Sequence, residues 1–384
     1  MVDVTRDHSV KPFIYLDHAA TAPIDPRVAA VVAAHWGDPL NASSVHRAGQ
    51  RARARLEDAR ARIAALLGVH VDHVIFTSGA TESNNLALRG WAAARPAAPV
   101  ALSPLEHSCI RETVADLAAR GALAPISLPV ASDGRAALPP AGWDGLLCLM
   151  AVQNETGVVQ DLDAARAWRL ERPAARGWLC DIAQAIPALT AADWRGADFL
   201  SLSAHKIGGP PGIGILAGPG VAGIAPQITG GPQEGEHRAG TQPVALALGM
   251  AEALHLAFEE RAARIASLAA LEDRLLAGLR ARAVPFHLNG ADAPRRAPGF
   301  LNISLPGRPA PDMVIALDMA GFCTSAGAAC ATGVMEPSPA LRAMFPHNLD
   351  RAATALRITP GPTTDPAAID QLAAEIARLM KSRP

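Results

Sequence analysis

Three of the 35 Lys and Arg residues in this 384-residue chain are lysines: Lys11, Lys206 and Lys381. Lys206 is the one lysine away from the ends of a sequence that otherwise uses arginine. An ammonium can lose its proton and act as nucleophile or base, whereas a guanidinium stays charged. Lys206 lies in Ser201-Leu202-Ser203-Ala204-His205-Lys206-Ile207-Gly208, after an apolar strand-like run and before a Gly/Pro turn. That setting suits a lysine that forms a Schiff base with a carbonyl cofactor. A survivor of lysine depletion is the bland reading.

Further groups at predicted strand ends could serve the same chemistry. Asp181 closes the run Trp178-Leu179-Cys180-Asp181, with Gln184 three residues on. A carboxylate there can hold a pyridinium nitrogen protonated, although an isolated Asp of this kind is commonly a helix cap. His107, in Leu105-Glu106-His107-Ser108, could stack on a flat cofactor or move protons, or simply cap a helix. Thr77-Ser78-Gly79-Ala80-Thr81-Glu82-Ser83-Asn84-Asn85 follows an apolar run and opens a helix. Free amides and hydroxyls at such a start suit phosphate, and the missing Gly-Lys-Ser/Thr ending argues against a nucleotide P-loop.

Cys330 stands in a loop of small residues, Ser325 to Gly333, which leaves its sulfur accessible as a travelling nucleophile would require. Cys323 reads as a packing residue. Arg357, in Ala355-Leu356-Arg357-Ile358-Thr359, could grip a substrate carboxylate with two parallel bonds. Gly212-Ile213-Gly214-Ile215-Leu216-Ala217 fits a loose dinucleotide pattern, but a turn precedes it and a strand-like run follows, the reverse of what that pattern needs. The 12 histidines and five cysteines show no zinc-ligand spacing, so no metal is expected.

These groups must be carried by a scaffold. Strand-like runs at Val74–Thr77, Val100–Ser103, Leu146–Val152, Trp178–Asp181, Phe199–Ser203 and Gly214–Ala217 alternate with helical stretches at Glu82–Ala94, His107–Ala119 and Leu162–Arg172. That alternation predicts an α/β fold with a mostly parallel sheet flanked by helices, and ligands beyond the carboxyl ends of the strands. Residues 47–67 predict an amphipathic helix whose arginines form a solvated face. The proline-free stretch from Pro243 to Ala283 reads as helical and leads to a smaller α+β unit with strands near 300–304 and 356–359 and a last helix over 367–380. The length suggests two domains, placed at 16–258 for the larger and 1–15 with 259–384 for the smaller.

Composition narrows the class. Half the residues are apolar and 18% are charged, which describes a soluble globular protein. A net charge of −1 supplies no field for nucleic acid or an anionic membrane. No signal core opens the sequence and no apolar run has spanning length, so neither membrane nor export is expected. Five cysteines without a CxxC pair suggest reduced thiols and a cytoplasmic setting.

Taken together, the motifs resemble the cysteine desulfurases of the NifS/IscS type, in the class V branch of the fold-type I pyridoxal-phosphate enzymes. The likeness runs from Tyr15-Leu16-Asp17-His18-Ala19-Ala20-Thr21 to Leu356-Arg357. It is carried by Thr77 to Leu86, Asn154-Glu155-Thr156-Gly157, Ser203-Ala204-His205-Lys206, Arg238-Ala239-Gly240-Thr241, and Cys330 followed by Glu336-Pro337-Ser338. Pro211, Gly235 and Pro362 depart from the usual pattern.

The resemblance implies pyridoxal 5'-phosphate on Lys206, with Asp181 at the ring nitrogen and His107 stacked on the ring. Gln184 and Asn154 would address the ring oxygen and nearby polar atoms. Ala80, Thr81, Ser203 and His205 would hold the phosphate. Thr241 would reach the phosphate of a neighbouring subunit, which implies a homodimer with shared sites. Asn154 and Arg357 would meet the substrate L-cysteine, and Cys330 would take its sulfur as a persulfide, with His107 as the candidate base. The sulfur would pass to an iron–sulfur scaffold or a tRNA-thiolation enzyme. Selenocysteine lyase, another class V lyase or aminotransferase, and a non-catalytic docking module are the readings left open.

Overall fold

The computed structural model describes residues 13–327 and 337–381. Strands Gly145–Cys148, Arg176–Asp181 and Phe199–Ser203 are buried along their whole length, as the middle of a sheet covered on both faces must be. Alternate residues of these strands enter different apolar clusters. Leu147 and Trp178 join Leu56, Ile63 and Leu254 on one side, while Leu146 and Leu179 join Leu88 and Val114 on the other. The period-two geometry of a strand requires this division.

The sheet has seven strands in the order Val74–Thr77, Gly214–Ala217, Phe199–Ser203, Arg176–Asp181, Gly145–Cys148, Ala98–Leu102 and Leu123–Ser127. Gly214–Ala217 runs antiparallel to both of its neighbours, and every other pairing is parallel. Because that one strand reverses, Val74–Thr77 points the same way as Phe199–Ser203. The carboxyl ends of six strands, at Thr77, Leu102, Ser127, Cys148, Asp181 and Ser203, therefore open on one edge. The residues after Gly212 form the strand that excludes a dinucleotide turn.

A second, antiparallel sheet runs in the order Ser325–Ala326, Ala355–Ile358, Leu301–Ser304, His287–Leu288. Helices Arg261–Ala281 and Pro366–Lys381 cover it through Leu275, Leu279, Ile369, Leu372 and Ile376. Ile14–Tyr15 pairs with Phe322–Cys323, and Leu16 is buried in the same cluster. From there the chain runs past Asp17, bridged to Thr359, to the edge of the large sheet.

Several features differ from the sequence expectation. The helical stretch after Pro243 is two helices, Val244–Glu259 and Arg261–Ala281, parted at Glu260. Leu123–Ser127 is an extra edge strand, unread because it carries Pro125 and its exposed positions break the apolar pattern. Helix Pro26–Trp36 was also unread, despite an Asp25 cap and a proline in its first turn. Cys323 is half-buried rather than enclosed.

The arginines of helix Arg47–Leu67 are not all solvated. Arg60 is buried and donates to Glu234 through Nη1 at 2.8 Å and Nη2 at 2.9 Å, and to the Val74 carbonyl. Glu234 also accepts from the Phe76 amide at 2.8 Å while holding a left-handed backbone, φ 51°. The partner lies 174 positions away, so helical periodicity carries no sign of it.

Candidate active site

Lys206 ends the short turn Ala204–Lys206 directly after strand Phe199–Ser203. Its Nζ donates to the carbonyl oxygens of Ala19 at 2.7 Å and Ala20 at 2.8 Å. Burial, then the nearby Arg357 guanidinium, lower its pKa to about 8, with Asp181 and Asp17 opposing. A lysine so placed sheds its proton more readily than a solvated one, which helps a nucleophile or base. Gln184 Nε2 donates to the same Ala19 carbonyl at 2.8 Å. One backbone oxygen thus sets the position of both side chains.

Asp181 is buried at the end of its strand. Its Oδ2 accepts from Asn84 Nδ2 at 2.8 Å and its Oδ1 from the Ala183 amide at 2.9 Å. Asn84 comes from helix Ala80–Ala94, on the face turned toward the sheet. The carboxylate is thereby locked in orientation and kept an acceptor.

His107 caps helix Ser108–Ala119, with its Nδ1 accepting from the Cys109 amide at 3.2 Å. The ring has an exposed face, yet the protein around it desolvates it enough to lower its pKa, aided by Lys206 and Arg111 and opposed by Asp181. Since a backbone N–H can only donate, Nδ1 is the acceptor and the neutral ring carries its proton on Nε2. In that tautomer the ring offers a proton rather than a lone pair, unlike the base expected from the sequence.

Ser203 Oγ accepts from the Ala80 amide at 2.6 Å, joining two strand ends. Gly214 makes that join possible, because a Cβ there would lie 2.5 Å from Gly79 Cα. Thr81 stands exposed in the first turn of helix Ala80–Ala94, where amides have no carbonyl partner within the helix. Glu82 accepts from the Ser78 amide at 2.7 Å and from Arg238 at 2.8 Å. His205 Nδ1 lies 3.1 Å from Thr21 Oγ1, and burial, then Lys206, lower its pKa.

Arg357, buried in the second sheet, donates to Asp17 Oδ1 at 2.8 Å and to the Asn154 carbonyl at 3.2 Å. Its Nε is buried without a partner. Beside Lys206 opens a cavity of about 810 Å³, lined also by His18, Gln184, Ile207, Phe300 and Thr359. Its lining includes neither Asp181, His107, Asn154 nor Arg357. Pro362 lines the same cavity, and its carbonyl accepts from Ser267 at 2.8 Å. Pro211 and Gly235 are exposed.

Ten of the candidate residues thus meet along one edge of the sheet. Thr241 does not: it is exposed and makes no hydrogen bond to the others among the described residues. Cys330 lies outside the described residues. Asp17, Ala19, Ala20, Asn84 and Cys109 are site residues that went unread. Two of them act through backbone carbonyls, which leave no trace in residue type, and Asn84 lies inside a motif read for its backbone amides and hydroxyls. Among the described residues no His, Cys, Asp or Glu cluster is arranged to hold a metal, and no helix is long and apolar enough to cross a membrane.

The family model "Aminotransferase class-V" matches residues 14–370. The chain is 35% identical to the "Putative cysteine desulfurase IscS 1" of Bacillus subtilis, over 91% of this chain and 93% of that one. It is 36% identical to the "IscS-like cysteine desulfurase" of Mycobacterium tuberculosis, over 93% of each. The chain belongs to the class-V aminotransferase family, in its NifS/IscS cysteine desulfurase group. Solved structures agree with that placement. A "NIFS-like protein" superposes with a TM-score of 0.86 at 27% identity, covering 96% of this chain and 99% of the other. DndA from Streptomyces lividans gives 0.73 at 34%, covering 90% and 100%. Members of this family are pyridoxal-phosphate enzymes, and the sheet edge with its single lysine is the fold-type I arrangement expected for a NifS/IscS desulfurase.

Proposed function

We propose that this cysteine desulfurase binds pyridoxal 5'-phosphate at the sheet edge, takes L-cysteine, and moves its sulfur to Cys330. The observation that carries the reading is Lys206: an amine with pKa about 8, hydrogen-bonded to two carbonyls, with Asp181 and Arg357 both close enough to shift it.

The residues fit the cofactor. Asp181 is an oriented carboxylate for a ring nitrogen, His107 presents an exposed ring face, and the first turn at Ala80 and Thr81 offers amides to a phosphate. Ser203 Oγ, which accepts from the Ala80 amide, keeps its own hydroxyl proton for donation, and His205 stands next to Lys206. When bound, the cofactor supplies an aldehyde for an amine to add to and a ring that accepts electrons.

The protein's own groups would do the rest. Asp181 would hold a proton at the ring nitrogen. Lys206, as the free amine, would take the proton from the substrate Cα. Arg357 and Asn154 would orient the substrate carboxylate, and His107 would offer its Nε2 proton to a developing negative charge. Cys330 would attack the substrate sulfur. The carbon–sulfur bond breaks, a sulfur–sulfur bond forms, and L-cysteine plus a thiol become L-alanine plus a persulfide.

Thr241 would reach the phosphate of a second copy, making a homodimer with shared sites. Its exposure, on a loop tied back through Arg238 to Glu82, supports this. We place the protein in the cytoplasm, passing sulfur to an iron–sulfur scaffold or a tRNA-thiolation enzyme. The test is alanine released from L-cysteine by the pyridoxal-phosphate-loaded protein. The parent should release it and Lys206→Ala should not; equal release by both would refute the assignment.

A further inference from the structure

The thiol of Cys109 lies 3.0 Å from His107 Nδ1, and Asn84 Nδ2 donates to that sulfur at 3.3 Å. The same Asn84 nitrogen donates to Asp181 Oδ2 at 2.8 Å. The opposite orientation of the Asn84 amide would set its oxygen against the carboxylate, so the direction of these bonds is fixed. An unbroken path results, from the Asp181 carboxylate through the Asn84 amide and the Cys109 thiol to the His107 ring. Nothing in the proposed sulfur transfer uses Cys109.

We propose that Cys109 is a positioning residue, whose S–H donates to His107 Nδ1 and holds the ring in its Nε2–H tautomer, in fixed orientation to Asp181. The inference rests on His107 belonging to the desulfurase site. The Cys109 backbone amide already donates to Nδ1, and the thiol adds a second donor to the same lone pair. Both favour the neutral ring, because a proton on Nδ1 would face two donors. The thiol keeps its proton through the working range: burial, then the Asp181 carboxylate, push it up to about 12. The charged and titratable groups around the ring are Asp181, Lys206 and Arg111, with Glu106 near the sulfur. Replacing Cys109 leaves all of them in place.

Removing one weak donor to the neutral ring should raise the His107 titration midpoint by about half a unit. Three variants separate donor from volume. Cys109→Ala removes both, Cys109→Val fills the space without a donor, and Cys109→Ser keeps a donor. The reading is the ring ¹⁵N shifts of His107 in the full chain against pH, with and without pyridoxal phosphate, assigned with His107→Gln. The expected result is a midpoint shifted upward and a diminished Nε2–H tautomer in Cys109→Ala and Cys109→Val, with Cys109→Ser near the parent. Identical midpoints in parent, Ala and Val variants, or a Ser variant that moves with Val, would overturn the role. These spectra need no turnover, so a failure here is distinct from a failure of the parent to release alanine.

Discussion

Arg357 and Asp17, 340 positions apart in the chain, are joined Nη2 to Oδ1 at 2.8 Å. The bond ties the second sheet to the segment whose Ala19 and Ala20 carbonyls hold Lys206. Asp17 and the Asn154 carbonyl each take one N–H from the guanidinium fork, which leaves one N–H on each terminal nitrogen for a carboxylate. Arg357→Lys keeps the charge but loses the fork. It should raise KM for L-cysteine by at least about tenfold, with a smaller change in kcat. Steady-state alanine production over a range of L-cysteine concentrations measures both, and an unchanged KM would remove Arg357 from substrate binding.

Burial of Lys206 should also appear in the stability of the cofactor-free protein. Its pKa falls from 10.5 to about 8 on folding. Between those values the unfolded chain binds more protons, so this residue's contribution to stability rises with pH across that window. Below pH 8 the cost of burying the ammonium is present in full. Lys206→Met should therefore be more stable than the parent at pH 7, by about 1–3 kcal/mol, and the difference should shrink by pH 10. Urea unfolding at the two pH values measures it.

Asp181→Asn keeps shape and size but cannot hold a proton at a ring nitrogen by charge. Alanine release should drop by about 10²-fold or more, while pyridoxal-phosphate binding and the unfolding midpoint change far less. Parallel absorbance and turnover measurements separate the two effects.

The Arg60–Glu234 pair makes a prediction away from the chemistry. Arg60→Ala leaves the buried Glu234 carboxylate without its main cationic partner and should cost about 3–5 kcal/mol in urea unfolding. Replacing both residues with apolar ones should recover part of that loss.

What could be read in advance follows from how local each signal is. Val74–Thr77 and Gly214–Ala217 are short apolar runs, Phe199–Ser203 interleaves apolar residues with serine, and all three form as strands at those limits. Lys206 stood out because arginine replaces lysine elsewhere. The reversal of Gly214–Ala217 could not be read, since direction depends on which neighbours pair. The Arg60–Glu234, Arg357–Asp17 and Asn84–Asp181 contacts join residues 174, 340 and 97 positions apart, beyond any periodicity. The His107 tautomer is legible only from the helix cap it makes.

The central claim is that sulfur from L-cysteine comes to rest on Cys330. The most direct measurement is the mass of the Cys330 peptide after brief incubation of the pyridoxal-phosphate-loaded protein with L-cysteine and no reductant. One added sulfur on that peptide, absent in Lys206→Ala, is the predicted result. An unmodified Cys330 peptide from protein that still releases alanine would contradict the account.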